Sequence, residues 1–204
     1  MLDSPFVRRV AVAMLMAEIP FEHEPLSIWR HADAYARLSP LQRAPSLIAE
    51  DGAALVESGV ILDYLSLRSL ALTRLRPRAL PAFRALGVAL TVMEKAVQLY
   101  YERQVREAGE RSESWTVRVR GQLETGLAAL DATVPELWFE DAPGHADIAA
   151  VCAFGFVRGA LAETFDSAAY SRLAAFCGRA ETLGPFLAAP PRDGVKIGPR
   201  RALA

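Results

Sequence analysis

Three short clusters hold the residue types able to do chemistry: Ser4 ahead of Pro5, the pair Ala44-Pro45, and the pair Glu57-Ser58. Ser4-Pro5 has the form of a helix start, with serine at the cap and proline in the first helical position. A hydroxyl placed there accepts from a backbone N–H as a plain cap, or donates a hydrogen bond to an anion such as a thiolate. The positive end of the helix dipole favours the same anion. A thiol with pKa near ~8.5 is mostly protonated at neutral pH, and each unit of depression is worth ~1.36 kcal/mol of thiolate stabilisation. The capping and chemical roles are compatible, so both stay open. Asp3 acts in the opposite sense, because a carboxylate beside a thiolate raises its pKa. Glu57-Ser58 opens an apolar helix. Capping alone explains an acid and a serine there, while the free N–H groups of the same turn form an anion site.

Other chemistries lack their residues. His23, His31 and His145 have no metal-ligand spacing, and Cys152 and Cys177 sit on separate predicted helices, so no metal is expected. No glycine-rich phosphate loop is present. The net charge of −1 gives no bulk attraction to nucleic acid or to an anionic membrane. Two cysteines make no disulfide framework and read as buried thiols of a cytoplasmic protein. Arg8-Arg9 followed by the apolar run from Val10 to Ala17 mimics a secretory leader. However, Phe6, Val7, Val10, Ala11, Met14 and Leu15 recur at helical spacing, as on one face of an amphipathic helix. No run reaches the ~18 apolar residues of a membrane span.

The elements that must position these clusters are legible from periodicity. The pattern predicts helices over 5–18 and 31–38, a short strand over 21–27, two strands over 46–49 and 54–56 joined by a Gly/Asp hairpin turn, and a helix over 57–66. Residues 67–78 are rich in arginine and read as a linker. Beyond them the chain is helical. Residues 78–107 carry a seam of Phe83, Leu86, Leu90, Met93, Val97 and Tyr100. Residues 112–133 turn Trp115, Val119, Leu123, Leu127 and Leu130 inward. Residues 145–162 are apolar on nearly every side and read as a central helix, with a further helix over 167–182. Pro190-Pro191 opens a solvated tail with Arg192, Lys196, Arg200 and Arg201. The divisions are 1–67, a linker at 68–78, 79–189, and a tail at 190–204.

The stretch from Leu38 to Leu65, with Ala44-Pro45, the hairpin and Glu57-Ser58 in that order, resembles the glutathione-binding segment of the glutathione S-transferase family. Ser-Pro-Phe-Val-Arg-Arg-Val resembles the start of its serine-type tau and zeta classes. The resemblance covers about residues 3 to 189. It implies an α/β thioredoxin-like N-terminal domain followed by an all-α helical-bundle C-terminal domain. By the same resemblance, Ser4 faces the sulfur of glutathione and the Ala44-Pro45 bond is cis, with the Ala44 backbone pairing to the cysteinyl unit. Glu57 meets the γ-glutamyl ammonium and Ser58 its carboxylate, while Gln42 and Arg43 are in reach of the glycyl end or are loop residues. It further implies a homodimer that joins the glutathione thiolate to a small electrophile. A glutathione-dependent isomerase or dehalogenase, and a non-catalytic interaction module, are the alternatives. Tyr100, Tyr101 and Arg103 are candidates for an electrophile pocket or for core and rim. Gly144-His145-Ala146-Asp147 resembles the family's capping box with glycine in place of Ser or Thr.

In that family a strand of about five residues precedes the catalytic turn and lies between two others in the sheet. Here Met1-Leu2-Asp3-Ser4 leaves no room for it, so the first strand is expected to be missing. Met1 is read as an internal methionine of a longer natural product, with cover by another segment as the alternative.

Overall fold

The computed structural model describes residues 1–198. Two compact units form: Met1–Arg76 with the chain from Leu183 onward, and Pro77–Thr182. The first holds α1 (Pro5–Met16), α2 (Ala32–Leu38), β1 (Ser46–Ile48), β2 (Ala54–Val56), α3 (Ser58–Ser66) and α4 (Leu70–Arg74). The second holds α5 (Leu80–Gln104), α6 (Glu113–Thr133), α7 (His145–Ala160) and α8 (Ser171–Ala180). The last helix, α9 (Gly184–Ala188), belongs to the first unit.

In the first unit α1 packs against α3 and α9. It buries Val10, Val12, Ala13 and Met14, and two arginines with them. A buried guanidinium must find acceptors. The Arg8 Nε donates to the Ala189 carbonyl at 2.7 Å, and the group lies 5.5 Å from the centre of the Phe186 ring. This contact ties residues 183–189 to α1, whereas the sequence reading placed them in the C-terminal domain. The hairpin forms as expected. Gly52 supplies a φ of 82°, and Asp51 accepts from the Ala53 N–H at 2.9 Å to fix the turn. β1 and β2 pair antiparallel, Leu47 opposite Leu55.

Three expectations for this unit change. Residues 21–27 form no strand; they make one isolated antiparallel bridge, His23 to Ile197. Residues 67–78 are not all linker, because Ser69 caps Leu72 at 3.2 Å and starts α4. Residues 190–198 are not a solvated end. Asp193 pairs with Arg30, Lys196 lies 3.3 Å from Glu24, and the Val195 and Ile197 carbonyls bond His23 at 2.8 Å each. Arg192 is exposed, and Arg200 and Arg201 lie outside the described residues. Residues 1–4 form a turn, not a strand.

The second unit is a helical bundle in which α5 packs against both α6 and α7. The buried face of α5 is Ala82, Ala85, Ala89, Val92, Met93, Ala96 and Leu99. The predicted seam was therefore rotated: Met93 is buried, but Phe83 is exposed and Leu86, Leu90, Val97 and Tyr100 flank the stripe. Small residues win the central line because α5 has helices on two sides. At Gly126 of α6, an added Cβ would come within 2.7 Å of a Val92 methyl. Trp115, expected inside, is 43% exposed, while Val119, Leu123, Leu127 and Leu130 are fully buried. The central helix α7 is buried along most of its length, as its all-round hydrophobicity predicts.

The start of α7 carries the local motif. Gly144 has no side chain to cap with, so Asp147 supplies the whole side-chain half of the box. It accepts from the Gly144 N–H at 2.8 Å and from the Phe139 N–H at 3.1 Å. Asp147 is almost fully buried. Burial raises its carboxyl pKa to about 6, against the pull of those two donors.

Candidate active site

Ser4 sits at the N-cap of α1 with extended backbone and Pro5 behind it. Its Oγ accepts from the Val7 N–H at 3.5 Å, a long and weak cap. Among the described residues no acceptor takes the Ser4 hydroxyl proton, so it can still donate. Asp3 is exposed, and its carboxylate accepts the Ser4 backbone N–H at 3.1 Å.

Ala44-Pro45 is a cis peptide bond, as the resemblance implies. The Arg43 carbonyl accepts from the Tyr35 hydroxyl at 3.1 Å and from the Ser46 hydroxyl at 2.7 Å, which fixes the loop before the proline. Burial raises the Tyr35 hydroxyl pKa, so Tyr35 stays a donor at neutral pH. Among the described residues the Ala44 N–H and C=O have no protein partner. Gln42 and Arg43 have exposed side chains, and Gln42 adopts a φ of 47°.

Glu57 is the cap of α3 and holds a φ of 73°, a conformation that non-glycine residues reach only with strain. Its carboxylate accepts from the Gly59 N–H at 2.9 Å, the Val60 N–H at 3.2 Å and the Ser58 hydroxyl at 3.1 Å. Ser58 is 1% exposed. Arg9, reaching from α1, donates from Nη1 to the Ser58 Oγ at 3.1 Å. Arg9, Ser58 and Glu57 thus make one chain of hydrogen bonds joining the starts of two packed helices. Burial pushes the Glu57 carboxyl up, but the three donors and the Arg9 charge outweigh it and hold the pKa below the ordinary value. The Ser58 N–H, first in the helix, has no protein acceptor among the described residues.

Arg9 is the site residue that sequence reasoning missed. In the sequence Arg8 and Arg9 are adjacent charges that flank a leader-like apolar run, and their directions cannot be read there. The structure sends Arg8 to Ala189 and Arg9 to Ser58. The available signal was the near-continuous apolar run that follows them, which predicts a helix buried on most sides. In the second unit, Tyr100 stacks edge-on with Phe156 at 5.8 Å, and Arg103 bonds Glu163 at 3.0 Å and Thr164 at 3.2 Å.

Two helix starts, a cis-proline loop and a capped hairpin–helix junction define the first unit as thioredoxin-like, and the second unit is a helical bundle. The comparisons agree with this class. The model of the glutathione S-transferase N-terminal domain matches residues 1–69, and that of the C-terminal domain matches residues 101–179. The chain belongs to the glutathione S-transferase family. It is 27% identical over 159 residues to the uncharacterized GST-like protein YibF of Escherichia coli (strain K12), covering 76% of this chain and 78% of that protein. It is 29% identical over 155 residues to maleylacetoacetate isomerase of Pseudomonas aeruginosa, covering 69% and 71%. Among solved structures, a glutathione S-transferase from Methylobacterium radiotolerans in complex with glutathione sulfonate has 28% identity and a TM-score of 0.81, covering 95% of this chain and 93% of that one.

Proposed function

We propose that this protein binds glutathione in its N-terminal unit and joins the glutathione sulfur to a small electrophile. The observation that carries the reading is the start of α3, where a strained Glu57 and a buried Ser58 are held by Arg9 while the Ser58 N–H stays open. An α-carboxylate of the γ-glutamyl group would meet that N–H and, once the Ser58 hydroxyl proton turns to it from Glu57, that hydroxyl, with the positive helix end behind them. Glu57 lies one residue away for the ammonium. The open backbone of Ala44 would pair with the cysteinyl unit, and Arg43 would reach the glycyl carboxylate. Ser4 would donate its hydroxyl proton to the sulfur, with the N-terminus of α1 favouring the thiolate. The thiol proton passes to solvent, and the thiolate sulfur forms the S–C bond as the electrophile's C–X bond breaks and X departs with the electron pair, or as the displaced pair of a conjugated C=C bond takes up a proton from solvent.

Calorimetric titration with glutathione tests this directly. Ser58→Ala should weaken binding by about tenfold or more, the loss of one hydrogen bond to a charged group. Ser4→Ala should leave binding nearly intact and raise the bound thiol's pKa by about 1–2 units, read from thiolate absorbance against pH. No heat from the folded chain would overturn the proposal.

The similarity to maleylacetoacetate isomerase favours a second reading, a glutathione-dependent isomerisation at the same site. Product analysis separates the two, since isomerisation regenerates glutathione and conjugation consumes it.

The protein is further proposed to act in the cytoplasm as a homodimer. Among the described residues no helix is long and apolar enough to cross a membrane. A cavity of about 1060 Å³ opens on the surface of the second unit along α5 and α6, lined by Phe83, Val88, Thr91, Gly121 and Thr125. Phe83 is 55% exposed beside it, and an exposed aromatic on an apolar helix pair is the type of anchor that subunit interfaces use. Light scattering should give twice the chain mass, and Phe83→Glu should give the monomer; a wild-type monomer would refute the dimer.

A further inference from the structure

Three hydrogen-bonding groups meet just before Pro45. The Tyr35 hydroxyl donates to the Arg43 carbonyl at 3.1 Å, and the Ser46 hydroxyl donates to the same oxygen at 2.7 Å. A carbonyl oxygen has two lone pairs, so both are taken. Tyr35 comes from the middle of α2 and is buried. Ser46 opens β1. Between them the chain leaves α2 at Ser39 and turns at Gln42, whose N–H donates to the Ser39 carbonyl at 2.9 Å. A helix, a turn and a strand thus converge on one oxygen that is assigned no contact with glutathione.

That oxygen belongs to the same peptide unit as the Ala44 N–H. Ala44-Pro45 is cis, whereas the Arg43–Ala44 bond is trans. A trans unit is planar and sets its C=O and N–H antiparallel, so fixing the carbonyl fixes the direction of the N–H. Without a hold, such a unit turns over through paired changes in the ψ of Arg43 and the φ of Ala44, the soft dihedrals on either side. The ψ of Ala44 is already restricted by the proline that follows. The hold has an electronic side as well. Two donors on the carbonyl polarise the amide, and hydrogen bonds in a chain strengthen one another, so the Ala44 N–H becomes the better donor. Burial raises the Tyr35 pKa over the opposing pull of Ser46, and the phenol keeps the proton that it donates at neutral pH.

We infer that Tyr35 and Ser46 are positioning residues for glutathione: together they orient and strengthen the Ala44 N–H that donates to the cysteinyl carbonyl of the tripeptide. This role presupposes that glutathione pairs with Ala44, as proposed for the site. Neither hydroxyl needs to touch the ligand, because both act through one peptide plane. The pair is partly redundant. One remaining donor still holds the oxygen, and loss of both frees it, so the two substitutions should be more than additive.

The test uses Tyr35→Phe, which keeps the buried ring, Ser46→Ala, the double variant, and Ser46→Thr, which keeps the hydroxyl on a residue suited to a strand. Amide NMR of the unliganded chains is combined with calorimetric titration of the same samples with glutathione. The Ala44 amide proton should move upfield in each single variant and further in the double, while the Ser58 amide stays in place. Affinity should fall about threefold in each single variant and about thirtyfold in the double. Ser46→Thr should match the wild type in both measurements. Wild-type affinity in the double variant overturns the role, and so does a loss of affinity with Ala44 unmoved. Movement of Ser58 alongside Ala44 would mark a general loosening of the unit and overturn it too. Should the double variant not fold, the single variants decide, and an unmoved Ala44 in both overturns the role. A wild-type chain that binds no glutathione refutes the glutathione site and this role with it, whereas wild-type binding with Ala44 unmoved in the variants refutes the role of Tyr35 and Ser46 alone.

Discussion

Arg9→Met should weaken glutathione binding by tenfold or more and remove roughly 2–4 kcal/mol of folding stability, the range for breaking a buried charged hydrogen-bond network. Methionine keeps the volume and the apolar stem, so packing of α1 on α3 is nearly preserved and the loss falls on polar terms. Ser58 loses its donor, and Glu57 loses the one positive charge that helps to hold it ionised. The pH dependence separates this from a general loss of packing. Glu57 has a folded pKa below its unfolded one. Its contribution is therefore complete above the unfolded value and disappears as pH falls through the folded value. In Arg9→Met that acid limb moves to higher pH. Denaturant unfolding across pH 3 to 7, on the order of four points, with calorimetry on the same samples, reads both effects. Wild-type affinity in the variant would show that Arg9 does not position the site.

Asp147→Ala should be the most destabilising single change in the second unit, with a loss of about 3–5 kcal/mol. The buried N–H of Gly144 and the partly buried N–H of Phe139 lose their acceptor among the described residues in one substitution. Because Gly144 offers no hydroxyl, no reciprocal bond compensates. For a chain of this size the midpoint should fall by about 10 °C or more. The wild type carries a signature of the same residue. Its folded pKa of about 6 lies above the ordinary 3.8, so the native state keeps the proton longer than the unfolded state. The Asp147 term thus stabilises below pH 3.8 and is lost as pH rises to about 6, with no further change above. Asp147→Asn should abolish that slope. A variant that retains it would assign the slope to another group.

Much of the local structure of the candidate site was legible because its parts are local. Ser4-Pro5, the Asp51-Gly52 turn and Glu57-Ser58 announce themselves through capping and turn chemistry within a few residues. The helices of the second unit were legible as helices, but the rotation of α5 was not. Phe83 and Leu86 outweigh Ala82 and Ala85 in a hydrophobic pattern, yet close approach of two neighbours selects the small residues. Sequence also missed what depends on distant partners. The segment at 21–27 carries strand periodicity, but a ladder needs a neighbour, and only Ile197 arrives. The destinations of Arg8 and Arg9 were not legible at all. Their charge says surface, and only the fold reveals the Ala189 carbonyl and the Ser58 hydroxyl that admit them to the interior.

The Arg8–Ala189 hydrogen bond also has a meaning during synthesis. Its partners are 181 residues apart, and the whole second unit lies between them. At translation rates of roughly 5–20 residues per second, α1 emerges about 10–40 s before Ala189 does. Through that interval the Arg8 Nε lacks the Ala189 carbonyl, and the first unit is held short of its native state. The helical bundle, built from contiguous chain, is free to fold first. Vectorial order is therefore inverted in this protein: the half made first is the half completed last.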